Sequence, residues 1–249
     1  MLLPALLLAA TSYSTSVEQW RQAHEAKVRA EDGWLSYAGL FWLHEGSNEI
    51  PQAGVFEFRN GVVIWQGRPL KPDNPGPADV VTVDRRKFHV IVRGGRTGIR
   101  VRDNDSKYRR NFHGLQWFPI RDEYHVVAKW VEYPQPKKVP VTNILGLTDK
   151  ETSPGYAEFT LQGQRLRLEP VTEDDKLFFT FRDKTSGKQT YPAVRFLYAD
   201  APKDGKVILD FNLAHNPVCA FTDFATCPLP RRENILPVAI EAGELYSPK

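Results

Sequence analysis

Near the C-terminus, Asp210, Asn212, His215 and Asn216 fall close together and lead into a segment bounded by Cys219 and Cys227. A carboxylate and an imidazole this near one another are the minimum equipment for proton transfer, with Asp210 as general base and His215 as shuttle. The two Asn amides supply donors and acceptors suited to a ligand's hydroxyl or carbonyl groups. The structural alternative is that Asn212 and Asn216 cap the loop backbone while His215 faces solvent. Upstream, Asp183 opens the run Asp183, Lys184, Thr185, Ser186, Gly187, which is good turn chemistry and also offers Asp183 as a second candidate base. Tyr191 and Arg195 follow on what is expected to be the next strand, pointing toward a pocket mouth. In a third cluster, strand alternation places Arg100 and Arg102 on one face, where two guanidinium groups can grip a carboxylate or phosphate. The competing explanation there is a solvated face with local Arg and Asp pairs.

The chemistry that is absent narrows the field. There is no G-x-S-x-G elbow, Walker loop, His-Glu-x-x-His or G-x-G-x-x-G, so the common signatures of α/β hydrolases, P-loop enzymes, zincins and dinucleotide folds are missing. The run Gly94, Gly95, Arg96, Thr97, Gly98 sits between two strand patterns and opens no helix, so it is expected to be a hairpin turn, not a phosphate loop. Cys219 and Cys227 lack zinc-site spacing, and His215 is the nearest His, so neither a metal nor a cofactor is expected.

The elements that must position these side chains follow from patterning. Residues 17–30 contain no Gly or Pro and place Val17, Trp20, His24 and Val28 on one helical face, with Trp20 as the expected anchor. From residue 55 onward hairpin signals dominate: Asn60 and Gly61 within residues 55–65, the glycines of residues 94–98 within 87–103, and Gly163 within 157–171. Residues 124–133, 177–200 and 207–211 add further strands, and the segment after Phe211, with Pro217, Pro228, Pro230 and Pro237, is expected to be irregular. The fold class is therefore mainly β: an antiparallel sandwich or barrel of hairpins with one N-terminal α-helix and an irregular Pro-rich C-terminal segment.

Composition bounds the rest. The chain has 249 residues, 41% hydrophobic and 12% aromatic, enough for a substantial core in one domain. The net charge of +3 is spread among nearly balanced acids and bases, which argues against a nucleic-acid partner. Residues 2–10 form an apolar run too short to span a bilayer and followed by small polar residues. They are read as part of a signal peptide over residues 1–14, ahead of a single β-rich domain over 15–249 and with no transmembrane segment in the mature chain. The expected location is periplasmic or extracellular, where Cys219 and Cys227 would close a small disulfide ring contributing roughly 2 to 3 kcal/mol.

The segments GWLSYAGLFWL (33–43), GIRVRDNDS (98–106), FRDKTSGKQTYPAVRFLYAD (181–200) and DFNLAHNPVCAFTDFATCPLPRRENILPVAIEAGE (210–244) resemble the DUF1684 family. The resemblance spans nearly all of the mature chain and implies membership of a bacterial and archaeal group without an assigned reaction. It carries over no catalytic roles. In many members an acidic, Gly- and Ser-containing stretch follows the segment matching GSNEI, whereas here Pro51, Gln52, Ala53 and Gly54 follow at once. The leading expectation is a binding protein outside the cytoplasm that holds a small polar or anionic ligand among Arg100, Arg102, Tyr191, Arg195, Asn212 and Asn216. Alternatives are a hydrolase using Asp183 or Asp210 with His215, and an envelope interaction protein.

Overall fold

The computed structural model describes residues 12–74 and 76–248. Helix α1 (Tyr13–Arg29) starts earlier than its periodicity suggests, because Ser12 caps it by accepting the Thr15 amide. Residues 1–11 of the expected leader lie outside the described residues. Ser12, Tyr13 and Ser14 belong to the cap and first turn of α1. Val17, His24 and Val28 are the buried residues of α1, while Trp20 is half-buried and lies flat on His24 at 5.1 Å.

A short 3-10 turn (Trp34–Ser36) leads into β1 (Tyr37–Trp42). The meander β2 (Gly46–Ile50), β3 (Gly54–Arg59), β4 (Val62–Trp65) and β5 (Arg68–Leu70) follows, then β6 (Val80–Val83), β7 (Arg86–Arg93) and β8 (Arg96–Asp103). These form two antiparallel sheets, β2-β3-β4-β5 and β1-β8-β7-β6, packed around Phe56, Phe88, Val90 and Ile99. Asn60 and Gly61 both have positive φ, as do Gly94 and Gly95, so both expected hairpins form, each on a two-residue turn. Gly98 is not part of that turn. It lies inside β8, where an added Cβ would meet the Phe41 carbonyl and the Trp42 ring at 3.0 Å.

A one-turn helix α2 (Lys107–Arg110), which the sequence pattern does not announce, is set by Ser106 accepting the Arg109 amide. The second half of the chain forms β9 (His125–Thr142), β10 (Thr148–Leu161), β11 (Gln164–Leu168), β12 (Val171–Glu173), β13 (Lys176–Phe181), β14 (Arg195–Ala199) and β15 (Lys206–Asp210). They make the sheets β11-β10-β9-β15 and β12-β13-β14. Their core includes Phe159, Phe179, Leu197 and Phe211, and the tail contributes Leu236, Val238, Ile240 and Ala242. Tail backbone groups find partners: Leu236 N donates to Arg182 O, Lys184 N to Val238 O, and Leu245 N to Gln116 O. The tail is thus irregular, with short 3-10 turns, yet docked on the sheets through its buried residues.

Candidate functional site

At the end of β15, Asp210 accepts the Asn212 amide at 3.1 Å and caps the 3-10 turn Phe211–Leu213. Its other role is to accept the Tyr13 hydroxyl at 2.8 Å, which ties α1 down. Asn212 is fully buried. Its side chain donates to Tyr13 Oη and the Arg121 carbonyl and accepts the Arg121 amide. Both residues therefore spend their polar atoms on the framework.

The chain then pairs with β14, the amide and carbonyl of His215 bonding Phe196. His215 is buried rather than solvent-facing. Its Nδ1 lies 3.1 Å from the Leu213 carbonyl, and its ring packs on His24 at 4.5 Å and on Trp20 at 5.6 Å. Burial, with a smaller contribution from the Arg195 charge, lowers its pKa to about 4.

Asn216 and Glu244 lock together. The Asn216 amide donates to Glu244 Oε2 at 2.9 Å and its side chain to Glu244 Oε1 at 2.8 Å, while Glu244 N donates to the Ala214 carbonyl. Glu244 is 1% exposed, and His24 Nε2 stands 3.8 Å from its Oε2. Burial raises the Glu244 carboxyl to about 8 against the opposing Asn216 hydrogen bonds, and burial with His215 and Lys27 lowers His24 to about 3. An ionised Glu244 would favour imidazolium at His24. With the carboxyl pushed up and the imidazole pushed down, burial favours the neutral forms of both over an ion pair. His24 Nε2 and Asn216 Oδ1 have no hydrogen-bond partner.

Asn216 and Glu244 border a cavity of about 900 Å³. One wall comes from α2 and the segment after it, including Tyr108, Phe112 and His113. The other comes from Phe221 and Asp223, and the tail residues Leu245 and Tyr246 close it. The walls are fastened to each other by Tyr108, whose hydroxyl donates to Asp223 Oδ2 at 2.6 Å.

The remaining expected site residues lie elsewhere. Arg195 is fully buried, paired with Asp183 at 2.7 Å and donating to the Ile240 and Ala242 carbonyls. Asp183 in turn accepts the Thr185 amide and hydroxyl. This pair joins the turn after β13 to the tail and presents neither charge to a ligand. Tyr191 precedes β14 instead of lying on it, and its hydroxyl donates to the Cys219 carbonyl at 3.2 Å. Arg100 and Arg102 do share a face of β8, placed over the Tyr37 ring at 4.8 and 5.4 Å. Arg100 is 4% exposed and donates to Thr226 Oγ1. Of the nine candidate binding and catalytic residues, Asn216 alone lines the large cavity.

Cys219 and Cys227 are buried side by side, the Cys219 amide donating to Cys227 Sγ at 3.2 Å, and no bond joins them in the structure. The hydrogen bond with Cys219 and burial hold the Cys227 thiol well above its usual pKa. Among the described residues, no group of three or more His, Cys, Asp or Glu is placed to hold a metal ion, and no helix is long and apolar enough to cross a membrane. A smaller cleft of about 230 Å³ carries Asp149, Glu151, Glu173 and Arg231. Arg231 is already engaged with Glu169 at 3.1 Å.

His24 and Glu244 were not expected as site residues. His24 looks like any helix-face residue, and Glu244 ends a short apolar alternation in the tail, where a carboxylate gives no sign of being turned inward. Their meeting depends on tertiary contacts alone.

A family model described as Protein of unknown function (DUF1684) matches residues 110–245. Among solved structures, the solution NMR structure of an uncharacterized protein of Haloarcula marismortui is similar at 33% identity, covering 55% of this chain and 78% of that chain with a TM-score of 0.47. No curated protein matches.

Proposed function

Because the chain belongs to the DUF1684 family, whose function is unknown, its role must be argued from its own site, and we propose that it is a small-molecule binding protein acting outside the cytoplasm. The ligand sits in the cavity between α2 and the tail, with Asn216 and Glu244 as its polar floor. The observation that carries this is the cavity itself: about 900 Å³, walled by aromatic side chains, with a locked Asn and Glu pair at its base. Ligand sites are commonly apolar concavities with a few fixed polar groups. The arginines first expected to grip an anion do not line this cavity, which moves the reading from an anionic ligand to a polar one with an apolar body.

Export is supported by the apolar run of residues 2–10. In an oxidising compartment the adjacent Cys219 and Cys227 would form their bond and stiffen the loop between them. A thermal-shift screen of small aromatic and aliphatic compounds bearing amine, hydroxyl or carboxylate groups tests the binding role. Some compounds should raise Tm in wild type and less in Phe112→Ala, and a flat response across all classes would count against it.

A second reading, acid-base hydrolysis, is favoured by one observation, the 3.8 Å approach of His24 to Glu244 beside the cavity. It replaces Asp183, Asp210 and His215 with these two residues as proton carriers. It requires turnover of an ester or amide substrate panel that Glu244→Gln abolishes without unfolding the protein.

A further inference from the structure

Resting on the ligand-binding role proposed above, we infer that the cavity takes an organic cation, a protonated amine on an apolar or aromatic body, seated against Glu244 and Asn216. Three features point the same way. First, the fixed polar groups at the floor are poor in donors: Asn216 Oδ1 is buried without a donor, and the Glu244 oxygens, which accept from Asn216, become a full pair of acceptors once the carboxyl ionises. An ammonium group supplies up to three donors and accepts nothing. Second, the walls carry the rings of Tyr108, Phe112, Phe221 and Tyr246, and aromatic faces attract cations. Two of these rings already hold cations of the chain itself, Lys107 over Tyr108 at 4.8 Å and Arg29 over Phe112 at 4.7 Å. Third, Glu244 and Asp223 both border the cavity, whereas no arginine does, and Lys107 is exposed at its rim. No guanidinium fork is there to clamp a carboxylate or phosphate.

Binding then carries a proton signature. Burial raises the Glu244 carboxyl to about 8, which favours its protonated form at neutral pH in the empty cavity. The groups facing it are His24, whose pKa is lowered by burial, and Asn216; His215, also lowered, packs on His24, and Arg195 and Glu25 act at longer range. An ammonium ligand stabilises the carboxylate, so the Glu244 proton leaves to solvent as the cation enters: one cation bound, one proton released. Affinity must rise with pH until Glu244 is ionised in the free protein.

Titration calorimetry with benzylammonium, benzyl alcohol and benzoate, repeated in buffers of different ionisation enthalpy, tests this on the intact chain. Benzylammonium should bind at least about 10-fold tighter than the alcohol, with benzoate weakest. Its affinity should rise roughly 10-fold from pH 6 to pH 7 with proton release, while the alcohol stays flat. Glu244→Gln should remove the preference and the pH dependence but keep alcohol binding. If that variant does not fold, selectivity and pH dependence in wild type decide alone. Equal or tighter binding of the alcohol or benzoate, or a charge preference that survives Glu244→Gln, overturns the cation assignment and leaves the cavity as a ligand site. Saturation by none of the three probes overturns both.

Discussion

At the residue scale, the same chemical types serve two purposes that only burial separates. Asp183 and Arg195 have the identity of site residues, but both side chains are fully buried, and their partners are a turn and the tail. Removing one charge strands the other, so Asp183→Asn should cost about 3–5 kcal/mol in urea denaturation while leaving the probe selectivity of the folded fraction unchanged. The His24, His215 and Glu244 cluster makes a different prediction. His24 and His215, together with His89 near Arg100 and Arg102, have folded pKa values of about 3 to 4 against 6.5 unfolded. Below pH 6.5 the unfolded chain therefore binds the extra protons, and stability falls as pH drops. Glu244 has the opposite sign: its folded value of about 8 lies above 4.5, so the folded chain holds the extra proton and stability falls as pH rises toward 8. Three imidazoles outweigh one carboxyl below pH 6.5, and the carboxyl acts alone above it. Urea midpoints should peak near pH 6.5, with the upper limb flattened in Glu244→Gln. A midpoint that climbs steadily through pH 8 would refute this assignment.

At the scale of elements, legibility tracked how local the determining interaction is. The hairpins at Asn60 and Gly61 and at Gly94 and Gly95 are written in two adjacent residues whose positive φ the turn demands, and they were readable. The length of β9 was not, because Pro134, Pro136 and Pro140 argue against a strand. They are tolerated since Pro134 and Pro136 fall in the bulge between Glu132 and Lys137, outside the register with β10, and Pro140 has a partner on one side only because β15 pairs only with residues 125–129. The tail was legible as irregular but not as core: Leu236, Val238, Ile240 and Ala242 alternate inward like one face of a strand, but Pro237 interrupts the run and no sheet ladder forms there. Gly243 shows how tightly it docks: its φ is 79°, and an added Cβ would lie 2.2 Å from the Ala214 carbonyl oxygen. Gly243→Ala should destabilise by at least about 2 kcal/mol and displace Glu244 from Asn216, weakening ligand binding as well.

At the scale of the whole molecule, the mainly β architecture and the family were legible, the first from repeated hairpin signals and the second from long motifs. Which polar cluster becomes a site was not, because it depends on how α1, α2 and the tail meet. Export fits this assembly only if processing spares the start of α1, where Tyr13 bonds Asp210 and Asn212. Expressed with its own N-terminus in a bacterial host, the protein should be recovered from the periplasm cleaved no later than Ser12. Its intact mass should be about 2 Da below that of the reduced chain from the Cys219 to Cys227 bond. Retention in the cytosol as a full-length dithiol would contradict that location. The central claim, that the cavity between α2 and the tail is where a ligand sits, is tested most directly by mapping backbone amide shifts during titration with benzylammonium and benzyl alcohol. The account predicts saturable shifts confined to the amides of residues 111–116, 216 and 244–246. Shifts concentrated around Arg231 and Glu173 in the smaller cleft, or scattered without saturation, would contradict it.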